Sequence, residues 1–381
     1  MINKNIVLLG LVSFFTDFAS AMINPILPIY VVTILHEGMD KLGIIVAIAT
    51  FFSYTLRIVS GYIADRFHIV KPLVVAGYGV SAISKPLIGF THSYKGVAFL
   101  KTFERVGKGL RSAPKDLMIS KFTKNKKYGK TFGFHKTLDI AGELSGSIAL
   151  FFILKYFGSS EVVIRNIFYA TIIPGLIGFI LVAFFVKDIP KEKSKSIKFK
   201  LQKEDFKTVK FLLIYFFYLL FIFDTSFFVM QAKDIGFATA LIPILFIVLT
   251  ATQTATSYLF GILIDRFGFE KIVIFSFLSG ILAQFFLFFE KAVFTWIAFG
   301  FLGLFMVASL NANRAFIAKN SKNQGFVYGF FYTGIAIFAS LGALIVGNIW
   351  HYFGLEASLI YSLIGTTTVT LIFMVYRYVR S

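Results

Sequence analysis

The sequence predicts an all-α integral membrane protein: twelve transmembrane helices in two pseudo-symmetric six-helix bundles. Three observations predict it. The apolar load is too large for a soluble core, strings recur in register between the two halves, and basic residues gather in short loops on alternate connections. Of 381 residues, 57% are hydrophobic and 15% are charged, against about a quarter charged in soluble domains. Phe supplies 50 positions, and mean hydropathy is +0.80. Soluble cores stop growing near roughly 250–300 residues. A soluble enzyme, a disordered chain and a DNA-binding protein therefore fit poorly. The net charge of +19 would suggest nucleic acid in a soluble protein, but in a membrane protein its placement sets topology. There is no Cys, so disulfides, thiolate metal sites and cysteine nucleophiles are absent.

The apolar runs predict spans over residues 5–35, 41–63, 72–91, 95–118, 131–156 and 166–186, then 209–231, 237–261, 271–289, 292–317, 324–350 and 356–376. Each is near the length of about 20 residues that crosses a bilayer. In the first run, Ala19-Ser20-Ala21 mimics a signal-peptidase site. The apolar character continues to Leu35 and only Lys4 precedes the run, so an uncleaved first helix is expected. The fourth span is crowded by Lys101, Glu104, Arg105, Lys108, Arg111, Lys115 and Asp116, and an internal repeat is what requires it. Gly61-Tyr-Ile-Ala-Asp65-Arg66-Phe67 recurs as Gly261-Ile-Leu-Ile-Asp265-Arg266-Phe267, and Gly129-Lys-Thr-Phe132-Gly133-Phe134 as Gly325-Phe-Val-Tyr328-Gly329-Phe330. The offsets are 200 and 196 residues. Equivalent loops of parallel repeats face the same side, so six spans must separate residue 65 from residue 265, and the fourth must cross.

Residues 1–186 are thus expected to form an N-terminal bundle, 187–208 a basic cytoplasmic linker and 209–381 a C-terminal bundle. The stretch 187–210 holds nine Lys and four acids and reads as solvated, with attraction to anionic lipid as a secondary role. With both ends inside, inner loops and ends hold 23 of the 38 Lys and Arg, outer loops 6 and the spans 9. That excess predicts cytoplasmic termini. Pro25, Pro28, Pro174 and Pro243 read as bends. Gly107, Gly109, Gly142 and Gly146 read as the small residues that let the fourth and fifth spans approach each other. The Phe excess reads mostly as lipid-facing bulk.

Gly61-x-x-x-Asp65-Arg66, its echo at 261–266, and Arg105-x-x-x-Gly109 resemble signature motifs of the major facilitator superfamily, and the resemblance covers the whole chain. Thr16-Asp17 followed by Pro25-x-x-Pro28, Ser84-Lys85-Pro86-Leu87, the string from Arg105 to Asp116, Phe132-Gly-Phe-His135-Lys-x-Leu-Asp139, and Ala240-Leu-Ile-Pro243 resemble a prokaryotic subgroup without a settled substrate. The resemblance implies the fold and a secondary transporter. It also implies that Arg66 and Lys71 pair with Asp116 and latch an outward-open state, with Gly61 and Asp65 in the same motif and Gly261, Asp265 and Arg266 in its second copy. His68 stands where Gly is usual. Phe269 and Glu270 stand where basic residues are usual, so the second latch is expected to be weaker. The antiporter-type Gly-x-x-x-Gly-Pro reads here Gly142-Glu-Leu-Ser-Gly146-Ser147, without the Pro. Ala21 stands where the subgroup often has Glu, and Glu143 where it often has Ala, as though a carboxylate had moved from the first span to the fifth.

Intramembrane charge costs several kcal/mol unless paired or wet, so each such residue is a functional candidate. Most lie in the N-terminal half. Glu104, Lys108, Arg111 and Lys115 recur at helical spacing on one face of the fourth span. Asp139 and Glu143 lie one turn apart in the fifth, with His135 one turn earlier. Antiparallel packing of the two spans would set Asp139 level with Lys108 and Arg111, and Glu143 level with Arg105. Asp17 lies in the middle of the first span, and Asp224 is its approximate repeat partner in the seventh. Arg314 is expected to snorkel. Two readings stand: a proton- or ion-coupled site in which Asp17, Glu104, Arg105, Lys108, Arg111, Asp139, Glu143 and Asp224 take part, or a permanent salt-bridge network that packs helices. The expected function is alternating-access transport of a small anionic or zwitterionic organic solute, proton-coupled, with efflux favoured. An uncoupled facilitator, an uptake symporter and a non-transporting sensor remain as alternatives. Neither a cofactor, a metal nor nucleic acid is expected as a partner. A monomer in a prokaryotic-type plasma membrane is.

Overall fold

The computed structural model of the protein describes residues 3–67, 69–123, 128–189, 205–322 and 324–378, and all regular structure among these residues is helical. Helix α1 (Lys4–Ile23) starts where the Asn3 side chain accepts the Asn5 N–H, satisfying one of the orphan donors of a helix start. It stops ahead of Pro25. A short α2 (Leu27–Ile29) and a π turn, Tyr30–Ile34, complete the first span. Then come α3 (Met39–Phe67), α4 (Lys71–Leu87), α5 (Tyr94–Phe122) and α6 (Tyr128–Phe157). Next, α7 (Glu161–Ala170) and α8 (Ile172–Ile180) meet at Thr171, shortly before Pro174. The seventh span is α9 (Phe206–Leu219) and α10 (Thr225–Asp234). It is followed by α11 (Ile242–Phe267), α12 (Phe269–Phe286), α13 (Ala292–Asn320) and α14 (Gln324–Tyr378). The 55 residues of α14 are two helices meeting at Gly354, whose φ of 86° only Gly adopts without strain.

Twelve rods result, close to the predicted positions. Nine stretches among the described residues are long and apolar enough to cross a membrane. That number counts both halves of α14 once, and it omits the interrupted seventh span and the charged α5. With 29 residues at about 1.5 Å each, α5 has ample length to cross.

By packing, the described residues of 1–37, 48–196 and 239–244 form one unit, and those of 38–47, 197–238 and 245–381 a second. In the first unit α1 lies along α6, and α4 along α5. This corrects the expected approach of the fourth and fifth spans, which are α5 and α6. Gly142 and Gly146 of α6 face the backbone of α1 at Phe14 and Phe18. Gly107 of α5 faces Gly77 of α4, where a Cβ on Gly77 would stand 2.5 Å from the Gly107 carbonyl oxygen. Gly109 meets Leu56 and Ser53 of α3, and the Ser60 hydroxyl donates to the Gly109 carbonyl at 2.8 Å. Each small residue marks a backbone crossing, and the crossing partners are not neighbours in sequence. Leu9, Val12, Val74, Tyr78, Met118 and Val182 form a buried apolar cluster in this unit.

The second unit has an aromatic core. Tyr218 stacks on Phe277 at 4.1 Å and donates its hydroxyl to the Phe277 carbonyl at 2.7 Å. Phe211, Phe216, Phe299, Phe331 and Phe373 are buried with them. The Phe excess is thus divided between this core and exposed positions such as Phe99, Phe103 and Phe184. The first residues of α3 also belong to this unit: Gly43 packs on Ala343 and Gly347, and Ser340 donates to the Ala47 carbonyl at 2.8 Å.

Replacing Gly142 by Leu is expected to destabilise the protein by about 1–3 kcal/mol, the usual cost of overpacking, read as a lower melting temperature in detergent. Gly133→Ala, at a position with nothing within 4 Å, should leave it unchanged or slightly raised. Equal behaviour of the two variants would contradict the crossing of α1 and α6.

Candidate functional site

The charged residues of α5 meet three neighbouring helices inside the first unit. Glu104 is 3% exposed, and its Oε2 lies 3.2 Å from Lys101 Nζ and 3.4 Å from Arg105 Nε. Lys101 also donates to Asn24 Oδ1 at 3.0 Å. Lys85 of α4 is buried and donates to the Thr16 carbonyl of α1 at 2.9 Å. Arg111 sends Nη1 to Ser81 Oγ at 2.6 Å and to the Gly77 carbonyl at 3.2 Å, with its guanidinium 4.6 Å over the Tyr78 ring. One turn on, Lys115 donates to Ser13 Oγ at 2.9 Å. Ser13 Oγ lies 3.3 Å from the Tyr78 hydroxyl and 3.2 Å from His135 Nε2. His135 Nδ1 is 3.3 Å from Asp139 Oδ1. Asp17, half-buried on α1, is within electrostatic reach of Lys85, Lys108 and Lys115.

Six cations (Lys85, Lys101, Arg105, Lys108, Arg111 and Lys115) therefore share a region with the carboxylates Asp17, Glu104 and Asp139, and Glu143 lies one turn beyond Asp139. A buried charge whose partner is missing costs several kcal/mol, so helix packing alone does not call for such a surplus. The arrangement can hold an anion, and it can pass a proton between Asp139, His135 and the Ser13 hydroxyl.

Several expected pairings are corrected. Asp139 is met by His135 and lies within electrostatic reach of Lys115, not level with Lys108 and Arg111. The register of α6 is set by its crossing with α1, which shifts it about one turn along α5. Arg105 also meets Glu104 on its own helix, a neighbour not expected from the sequence; Glu143, half-buried on α6 one turn beyond Asp139, is itself engaged. Asp116 pairs with Arg57 of α3 at 3.5 Å rather than with Arg66 or Lys71. Arg66 donates to the Tyr62 hydroxyl one turn earlier, and the Lys71 backbone N–H donates to Asp188 Oδ1 at 3.4 Å. The Asp65 side chain lies outside the described residues, as do His68 and most of the linker. Gly61 approaches Ala113 of α5, whereas Gly261 has open space around it. Asp265 and Arg266 are exposed, with Arg266 over the Phe267 ring. Asp224 caps α10, accepting the Ser226 N–H at 2.8 Å. Arg314 donates to the Tyr332 hydroxyl at 2.9 Å instead of snorkelling freely.

Sequence reasoning missed the neutral partners Ser13, Asn24, Tyr78 and Ser81. A signal existed for two of them. Ser13 lies one turn before Asp17, and Ser81 one turn before Lys85, so each shares a helix face with a charge.

Membrane-length helices that gather ionisable groups inside one unit are the build of a solute transporter. Residues 9–251 match the profile of the Major Facilitator Superfamily, and the chain belongs to that family. An uncharacterized MFS-type transporter of Methanocaldococcus jannaschii is 30% identical over 363 residues, covering 92% of this chain and 89% of the relative. Among solved structures, a variant of the nucleoside transporter NupG superposes with a TM-score of 0.83 at 12% identity, covering 98% of this chain and 99% of that one. A D-xylose-proton symporter superposes with a TM-score of 0.69 at 16% identity, covering 96% and 95%. The protein is a multi-pass integral membrane transporter of a small-molecule substrate, not an enzyme.

Glu104→Gln leaves Lys101 and Arg105 without their shared carboxylate. It should lower stability by about 3–5 kcal/mol, as for other broken buried pairs, and adding Lys101→Met should recover part of the loss. Thermal unfolding of the three proteins checks this. An unchanged melting temperature in the single variant would contradict the triad.

Proposed function

We propose that this chain is a proton-coupled secondary transporter that exports a small anionic or zwitterionic organic solute by alternating access. It works as a monomer in a prokaryotic-type plasma membrane, with both termini cytoplasmic. The observation that carries the reading is the string Asp139, His135, Ser13, Lys115, which joins α6 to α5 through α1. A carboxylate beside cations stays ionised; when its partners withdraw, desolvation favours the protonated form. Because α6 packs on α1 rather than along α5, a small shift of α1 and α6 against α5 breaks the string at Ser13. Protonation of Asp139 is then linked to conformation, with Glu143 one turn away as the second carboxylate. Protons suit this site better than sodium, since its carboxylates have basic neighbours rather than a cage of oxygens. The resemblance in fold to a D-xylose-proton symporter agrees with proton coupling.

In proteoliposomes, Asp139→Asn should abolish transport driven by a proton gradient while leaving counterflow exchange of the solute intact. Gradient-driven transport at the original rate would remove Asp139 from coupling, and a protein that shows neither mode in its unaltered form would be a sensor rather than a carrier. Orientation has its own check, made clean by the absence of Cys. Ser159→Cys should react with an impermeant thiol reagent in intact cells, and Ser194→Cys only after permeabilisation. The reverse pattern would invert the topology.

A further inference from the structure

Resting on the reading of the first unit as the one that meets the solute, we propose that Lys108 and Arg111 together anchor an oxyanion of that solute, a carboxylate or a phosphate. Two features single out this pair among the six cations: Lys108 has no side-chain partner among the described residues, and Arg111 keeps one edge of its guanidinium free of the hydrogen bonds described for it. Lys101 and Arg105 share Glu104. Lys85 is engaged by the Thr16 carbonyl, and Lys115 by Ser13 with Asp139 nearby. Arg111 is 5% exposed, yet among the described residues it has no carboxylate within ion-pair distance. Its described hydrogen bonds both leave from Nη1, to Ser81 and Gly77. Lys108 is exposed and has neither an ion pair nor a side-chain hydrogen bond among the described residues.

The two cations lie three positions apart on α5, where side chains stand on one face. The Tyr78 ring and the Ser81 hydroxyl fix the plane of the Arg111 guanidinium. Its Nε and Nη2 edge is the planar fork that takes two oxygens of one carboxylate or phosphate. Lys108 adds a mobile point charge one turn away. The fields of Asp17 and Glu104 both reach Lys108, as do those of the cations Arg105 and Arg111, but neither carboxylate forms an ion pair with it among the described residues, so a local positive charge remains for the solute. The glycine crossing at Gly77 and Gly107 serves the same end, since it brings the Gly77 carbonyl and Ser81 close enough to hold Arg111.

The test is thermal stabilisation of the purified full chain in detergent at constant ionic strength. The probes are lactate, succinate, glycerol phosphate and inorganic phosphate, with neutral amides or alcohols and organic ammonium salts as matched controls. Ligands that bind the native state raise its melting temperature by mass action. At least one oxyanion should stabilise the unaltered protein where its neutral counterpart does not. Lys108→Gln and Arg111→Gln should each weaken the apparent affinity about tenfold or more, the size of a lost charge-assisted contact. Arg111→Lys should restore part of the loss, and Lys95→Gln should change nothing. The anchor is overturned if no oxyanion stabilises the unaltered protein, if only ammonium salts or neutral solutes do, or if oxyanion stabilisation survives both Gln variants. Lys108 is exposed, so its variant remains informative even if Arg111→Gln fails to fold. Oxyanion stabilisation of the unaltered protein, alongside transport by that same protein that is indifferent to a proton gradient, would sink the coupling and leave the anchor standing.

Discussion

The cost of placing charge inside a membrane governs the first unit. On insertion scales one charged side chain at a helix centre costs about 2.5–3.5 kcal/mol, and α5 carries Lys101, Glu104, Arg105, Lys108, Arg111 and Lys115 within about four turns. Such a helix is admissible only where its neighbours supply acceptors or water. Here α1 supplies the Ser13 hydroxyl and Asn24, and α4 supplies Ser81 and the Gly77 carbonyl. Backbone carbonyls and hydroxyls reach only a short way, so the helices must approach closely, and the facing pair Gly77 and Gly107 permits that. Small residues and charged residues in this half are two parts of one solution.

The halves share a pattern in sequence but differ in chemistry. Asp17 is an ionisable group in mid-helix, near three lysines. Its counterpart Asp224 ends a helix and is used as a cap. Gly61 faces Ala113 of α5, while Gly261 has open space among the described residues where a Cβ would stand. Where the first unit holds its interior with ion pairs and hydroxyls, the second uses stacked rings around Tyr218 and Phe277. Among the described residues the buried ionisable groups are concentrated in the first unit, and stacked aromatic rings form the core of the second.

The twelve rods were legible because apolar run length and loop charge follow directly from bilayer thickness and topology. Even α5, hidden by its charges, was recoverable by the parity of the repeat. Which side chains are ionisable and face inward was also legible, from helical spacing. Their partners were not. Spacing along one helix gives a face, but the register between helices depends on where backbones cross. The pairing of α1 with α6 put Asp139, with His135 one turn away on its own helix, within reach of Lys115 instead of level with Lys108 and Arg111. Asp116 likewise found Arg57, because Ser60 and Gly109 draw α3 against α5 and bring the two charges together. Neutral partners such as Asn24 and Tyr78 carry no charge to announce them, so their part emerged only in three dimensions.

The central claim is that α5 crosses the membrane with one wet, charged face and one face in lipid. Thiol reactivity measures this directly, since only a hydrated thiolate reacts with a water-soluble reagent, and the chain has no Cys of its own to interfere. Single cysteines would be placed along α5 in native membranes. Reaction at positions 105, 108 and 112, with none at 99 and 103, where exposed Phe side chains lie on the other side of the helix, is the predicted pattern. Uniform silence would mean a dry packing network, and reaction all round would mean that α5 does not cross the membrane; either would contradict the account.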